Sequence, residues 1–341
     1  MKEITEYLLK NASIKTNIIS GDRLKDDSKL CMKYIIEDAF KLGKNGIDCK
    51  YYDAVVQGEG KEKDKINSLY SSSLQSLLVF CGVSADNPIT VDGIEYTKVM
   101  FEYKNKVIGY PSSVDVVLMS KDEKKVLFIE SKLYEIVRDS DKEGKCEVGP
   151  SYLSTDENGY KKLGLCQDDL TEIGIDLKDT GIFGTKNPSD MKKHILGSSN
   201  QPTRDGNGWV RIKPIKGNEY VYSYGIKQYL SHIIGIMNYK TPDTNCSTGL
   251  KDRLFSKIGF LILYNDLPGY TKEDAKEKIK SFKKHCETVK GVLEKKAIHV
   301  DGIPIDISME SYQKLAEEAK PYFDKMPATV KEYYHLNERE T

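Results

Sequence analysis

Net charge is missing from this sequence. Lys plus Arg total 52 and Asp plus Glu total 52 over 341 residues. A globally basic coat for nucleic acid is thereby excluded, and any basic surface must be local and offset by acid elsewhere. Long apolar runs are missing too: the longest, 114–119 and 258–264, are too short to span a bilayer. The seven cysteines form no C-x-x-C pair and stand at wide spacings, so reduced thiols fit better than a disulfide framework or a zinc site. The opening MKEITEYLLKNASIK carries acids and no signal-peptide core, so a cytoplasmic protein without a membrane partner is expected. There is no internal repeat and no low-complexity tract, and tryptophan occurs once, at Trp209.

Against these absences stand 39% hydrophobic and 30% charged residues, the composition of a globular chain long enough to bury a sizeable core. Residues 1–57 read as a helical N-terminal extension, and a helix is expected over 62–80, ending near Gly82. Asp86-Asn-Pro88 marks a turn, and 96–103 reads as a strand. Residues 113–119 (SVDVVLM) and 126–132 (VLFIESK) are apolar runs joined by a charged turn, which is a hairpin signal. A polar stretch with weak periodicity follows at 136–222 and reads as an insert. Ile226, Leu230, Ile233 and Met237 then recur at helical spacing within 224–239. A buried strand is expected at 257–264, a Lys/Glu helix at 271–295, and one strand (303–307) with one or two helices beyond. The order predicts an α/β layered core with an antiparallel hairpin in a mixed sheet. Residues 58–265 would form that core and 266–341 a C-terminal α/β addition.

One constellation carries chemistry. Asp115 lies among Val114, Val116, Val117 and Leu118, where an ionised carboxylate is costly unless something pairs it. Glu130 and Lys132 are two apart on the next strand and so share a face. Two carboxylates can hold Mg²⁺, and an ammonium beside them can orient water or offset charge on a phosphate. E-x-K alone is weak, since it begins at Glu59, Glu102, Glu123, Glu130, Glu143, Glu294 and Glu318. Glu102-Tyr-Lys104 also follows an apolar run, but its preceding acid, Asp92, sits in a Val-Asp-Gly turn, so the second set is preferred. The competing reading is a structural ion pair across the hairpin.

Asp115, a fourteen-residue gap and Glu130-x-Lys132 at a strand end together resemble the PD-(D/E)xK nuclease superfamily, the restriction-endonuclease-like fold, over about 60–265. Pro111 lies four residues before the Asp rather than next to it, a departure from the pattern. The resemblance implies a restriction-endonuclease-like mixed sheet flanked by helices, and Mg²⁺-dependent cleavage of DNA, with Mn²⁺ as an alternative ion. Asp115 and Glu130 would hold the metal and Lys132 would position the attacking water. Glu62, at the start of the first core helix, would add a carboxylate, or simply complement the helix dipole. Gln228 would orient the substrate phosphate or Lys132, or be an exposed helix residue. His232, one turn on, reads as a satisfied histidine rather than a base.

Cations that would suit a phosphate backbone are dispersed: Lys104, Lys106, Lys192, Lys193, Arg204, Arg211, Lys213 and Lys216. The stretch 204–216 mixes cations, Asn, Gly and Trp, and reads equally as a base-contacting loop or a solvated hairpin. A type II restriction endonuclease, possible as a homodimer, is the first expectation. A structure-directed repair or mobile-element nuclease and an inactive DNA-binding module remain open.

Overall fold

The computed structural model describes residues 7–8, 71–108, 111–133, 135–137, 146–148, 152, 159–173, 175, 210–212, 226–270 and 275–338. The expected N-terminal extension, Glu62, Lys192, Lys193, Arg204, Trp209, Lys213 and Lys216 lie outside them, apart from Tyr7 and Leu8 of the extension.

After the helical Tyr7 and Leu8 comes α1 (Ser72–Phe80), capped where Ser71 Oγ accepts the Leu74 N–H at 3.2 Å. Strands β1 (Ile89–Val91) and β2 (Ile94–Asn105) follow, joined by Asp92-Gly93. Both turn residues have positive φ, 48° and 69°, as a tight two-residue hairpin turn requires. β3 (Ser112–Ser120) and β4 (Lys125–Lys132) form the expected hairpin. Within the insert lie β5 (Cys146–Val148) paired with β6 (Val210–Ile212), a 3₁₀ turn at Tyr160–Leu163, and α2 (Gln167–Glu172). Then come α3 (Ile226–Met237), β7 (Lys257–Tyr264), α4 (Ala275–Glu294), β8 (His299–Val300) and β9 (Ile303–Ser311). Three short helices close the described chain: α5 (Tyr312–Glu318), α6 (Lys320–Asp324) and α7 (Ala328–Tyr333).

One mixed seven-stranded sheet runs in the order β1-β2-β3-β4-β7-β9-β8. β1 to β4 are antiparallel neighbours, whereas β4, β7 and β9 are parallel. Strands from both sides of residue 265 therefore share the sheet, and β9 extends beyond the expected 303–307. The central strands are near-continuous apolar runs because helices cover both faces. Lys132 pairs with Tyr264, whose ring meets Phe282 of α4, so α3 and α4 pack on the Lys132 face. Ser131 points the other way and meets Tyr312 of α5, close to Ser76 of α1. Phe128 and Phe260 pair across β4 and β7 and are fully buried, each contributing about 2–3 kcal/mol. Among the described residues no helix is long and apolar enough to cross a membrane.

The seat of α3 depends on Gly235. A Cβ there would stand 2.8 Å from Asn105 Cβ at the end of β2. Gly235→Ala is expected to destabilise the fold by about 1–3 kcal/mol, although alanine favours helix. Thermal unfolding followed by circular dichroism checks this, and an unchanged Tm would mean that α3 does not need the close approach.

Candidate active site

The site is built where β3 and β4 stop pairing. Their ladder ends at Val116 opposite Ile129. Continued one step, that register sets Asp115 against Glu130. Instead of a backbone carbonyl, Asp115 Oδ2 takes the Ser131 N–H at 2.7 Å. Glu130 and Lys132, two apart on β4, share the face beneath α3, and Asp115 lies near enough for the charges of both to act on it.

Glu130 is the most buried of these, 1% exposed. Lys132 Nζ lies 2.6 Å from its Oε1, and His232 Nε2 lies 2.8 Å from its Oε2. The second approach is close but not aligned as a hydrogen bond, so Oε2 is a buried acceptor only partly satisfied. Burial alone would raise the Glu130 pKa. The Lys132 ammonium and His232 outweigh it and bring the carboxyl down to about 2. Lys132 also donates to Gln228 Oε1 at 2.9 Å and sits 5.9 Å from the centre of the Tyr229 ring. Burial disfavours its charge, but Glu130, Glu135 and Asp115 together raise its pKa, so it stays an ammonium.

Asp115 behaves oppositely. Burial raises its pKa well above the usual carboxylate range, and the charges of Glu130 and Glu102 add to that. Lys132 and the Ser131 N–H pull it back only in part. The β2–β3 ladder pairs Phe101 with Val116 and Tyr103 with Val114, but omits Glu102 and Asp115 between them. Glu102 has φ of 47°, uncommon for a long side chain, and its Oε2 accepts from Ser113 Oγ at 2.8 Å. The Glu102-Tyr-Lys104 set, passed over in the sequence as a rival motif, thus supplies a neighbour to Asp115. Glu135 was not anticipated either. Its Oε2 takes the Leu133 N–H at 3.0 Å and its Oε1 the Ser72 hydroxyl at 2.9 Å, tying the end of β4 to the start of α1.

Asp115, Glu130, Lys132 and Gln228 therefore converge, whereas Glu62 lies outside the described residues. Gln228 is an exposed residue that nonetheless holds the buried ammonium. His232, read from sequence as merely satisfied, is 1% exposed and touches the centre of the site. A histidine one helical turn after a candidate polar residue was the signal available for it. Of the dispersed cations, Lys106 faces Asp243 at 3.6 Å.

Among the described residues no group of three or more His, Cys, Asp or Glu is arranged to hold a metal ion. In charge, however, the residues suit a divalent cation. The charges of Glu130 and Glu102 both act on Asp115, and Lys132 with the Ser131 N–H offsets them only in part. Glu130 Oε2 is buried without an aligned hydrogen bond. Asp115 and Glu130 are the oxygen donors that would hold the ion, and Lys132 would have to yield Oε1 to let it share that atom. No family model, curated protein or solved structure matches the chain.

The raised Asp115 pKa has a signed consequence. A carboxyl whose folded pKa is raised favours folding fully below its unfolded pKa, near 4, and that contribution is lost as pH rises through the folded value. Asp115→Asn is therefore expected to raise the stability of the protein at pH 7, a gain that fades toward pH 4. Tm measured across pH checks it, and a lower Tm at pH 7 would contradict the electrostatic account.

Proposed function

We propose that this chain is a metal-dependent DNA endonuclease of the restriction-endonuclease-like class, using Mg²⁺ or Mn²⁺. The observation that carries the reading is the convergence of Asp115, Glu130 and Lys132 where β3 and β4 part. The mixed sheet with an antiparallel hairpin leading into parallel β7 supports it. Mg²⁺, when bound, supplies Lewis-acid charge at a phosphoryl oxygen and makes water more acidic.

The protein's own groups have distinct tasks in this reading. Asp115 and Glu130 hold the cation. Lys132, kept protonated by its carboxylate neighbours, does not serve as a base. It donates hydrogen bonds to the attacking water and to the phosphate oxygen on which charge grows. Gln228 fixes the Lys132 ammonium from α3. Glu62 remains a proposed further carboxylate. A type II restriction role, with the 136–222 insert reading bases and two copies cutting both strands, is the first biological proposal. It rests on analogy of fold.

Purified protein incubated with plasmid DNA and Mg²⁺ tests the reading. Cleavage is expected, abolished by chelator and reduced at least about 100-fold in Lys132→Ala. Discrete fragments would favour the restriction role, and nicking or smearing a structure-directed nuclease. No cleavage of plasmid, or a Lys132→Ala variant as fast as wild type, would overturn the proposal.

A further inference from the structure

His232 lies inside the site, yet none of the tasks above uses it. Its ring is 1% exposed and stands 6.0 Å from the Phe260 ring, centre to centre, which confines it sterically. Nδ1 is 2.6 Å from Ser112 Oγ at the start of β3, and Nε2 is 2.8 Å from Glu130 Oε2 on β4. The imidazole thus bridges the two strands at the point where their ladder has ended. Gln228, one turn earlier on α3, holds Lys132, which in turn holds Glu130 Oε1. Successive turns of one helix therefore grip the two partners of a single ion pair.

The contacts also fix the ring's protons. A carboxylate oxygen only accepts, so a bare Nε2 lone pair at 2.8 Å from Oε2 would be repelled. Nε2 therefore carries hydrogen, which favours the neighbouring carboxylate electrostatically although the approach is not aligned as a hydrogen bond and leaves Oε2 room for a further partner. In the neutral ring Nδ1 is then the acceptor, and the Ser112 hydroxyl donates to it. Ser112 thereby sets the tautomer that Glu130 needs, as the outer partner of a ligand-holding histidine does in metal sites.

We propose that His232 is a positioning residue: braced by Ser112, its Nε2–H steadies Glu130 Oε2 and fixes the carboxylate that Lys132 and a divalent cation share. Its functional consequence rests on the metal-dependent reading of the site, but its geometry does not.

Two measurements on the full chain test it. Long-range ¹H–¹⁵N NMR, with the His232 signals assigned by their loss in His232→Gln, is expected to give the Nε2–H tautomer. Mn²⁺ titration by calorimetry is expected to give about 10–100-fold weaker binding in His232→Ala. His232→Gln, which retains a side-chain N–H toward Glu130, is expected to recover most of that loss. Circular dichroism on both variants separates misfolding from lost positioning. An Nδ1–H ring would overturn the proposal, as would a folded His232→Ala that binds Mn²⁺ like wild type. If wild type bound no Mn²⁺, the metal-dependent reading would fall, and the tautomer alone would decide whether His232 orders Glu130.

Discussion

The buried Glu130–Lys132 pair is the constraint around which this molecule is arranged. Taking two charges out of water costs several kcal/mol per ion, and their attraction offsets that only with good geometry and further hydrogen bonds. Those further contacts come from α3, where Gln228 meets the ammonium and His232 the carboxylate. The helix can lie that close because Gly235 lets it press on Asn105. Two hydrophobic residues would have filled the same space at less cost. Keeping an ion pair here, beside a carboxyl that burial and its neighbours drive toward protonation, is what supports the proposed catalytic role.

Asp115 and Glu130 divide that electrostatic burden unequally. Glu130 has two cationic or hydrogen-donating neighbours and stays ionised. Asp115 has the Ser131 N–H, a more distant Lys132 and two repelling carboxylates. The strained backbone of Glu102 lies between the paired residues on either side of it, at the same break in the ladder as Asp115. An added positive charge would relieve Asp115 most, since it is the member of the set least compensated by the protein itself.

Much of this frame was readable in the sequence. The apolar runs of β3, β4 and β7 stood out because central strands are buried on both faces. Alternation alone placed Glu130 and Lys132 together, whereas Gln228 is implied only by the resemblance to the nuclease superfamily. Glu102 is hidden in the sequence because its relation to Asp115 exists only across β2 and β3, not along the chain. β8 escaped because it has two residues, although Asp301-Gly302, with φ of 53° and 79°, repeats the turn that was recognised at Asp92-Gly93. The place of β9 beside β7 was hidden for the same reason as Glu102: parallel pairing across a helical crossover leaves no local mark.

In the proposed reading Asp115 and Glu130 form a cation site guarded by Lys132 and His232. Anomalous diffraction from crystals soaked in Mn²⁺ tests it most directly. A peak is expected within coordination distance of both carboxylates, with Lys132 Nζ displaced from Glu130 Oε1. A Mn²⁺-soaked crystal with no peak at these carboxylates, and with the Glu130–Lys132 pair intact, would contradict it.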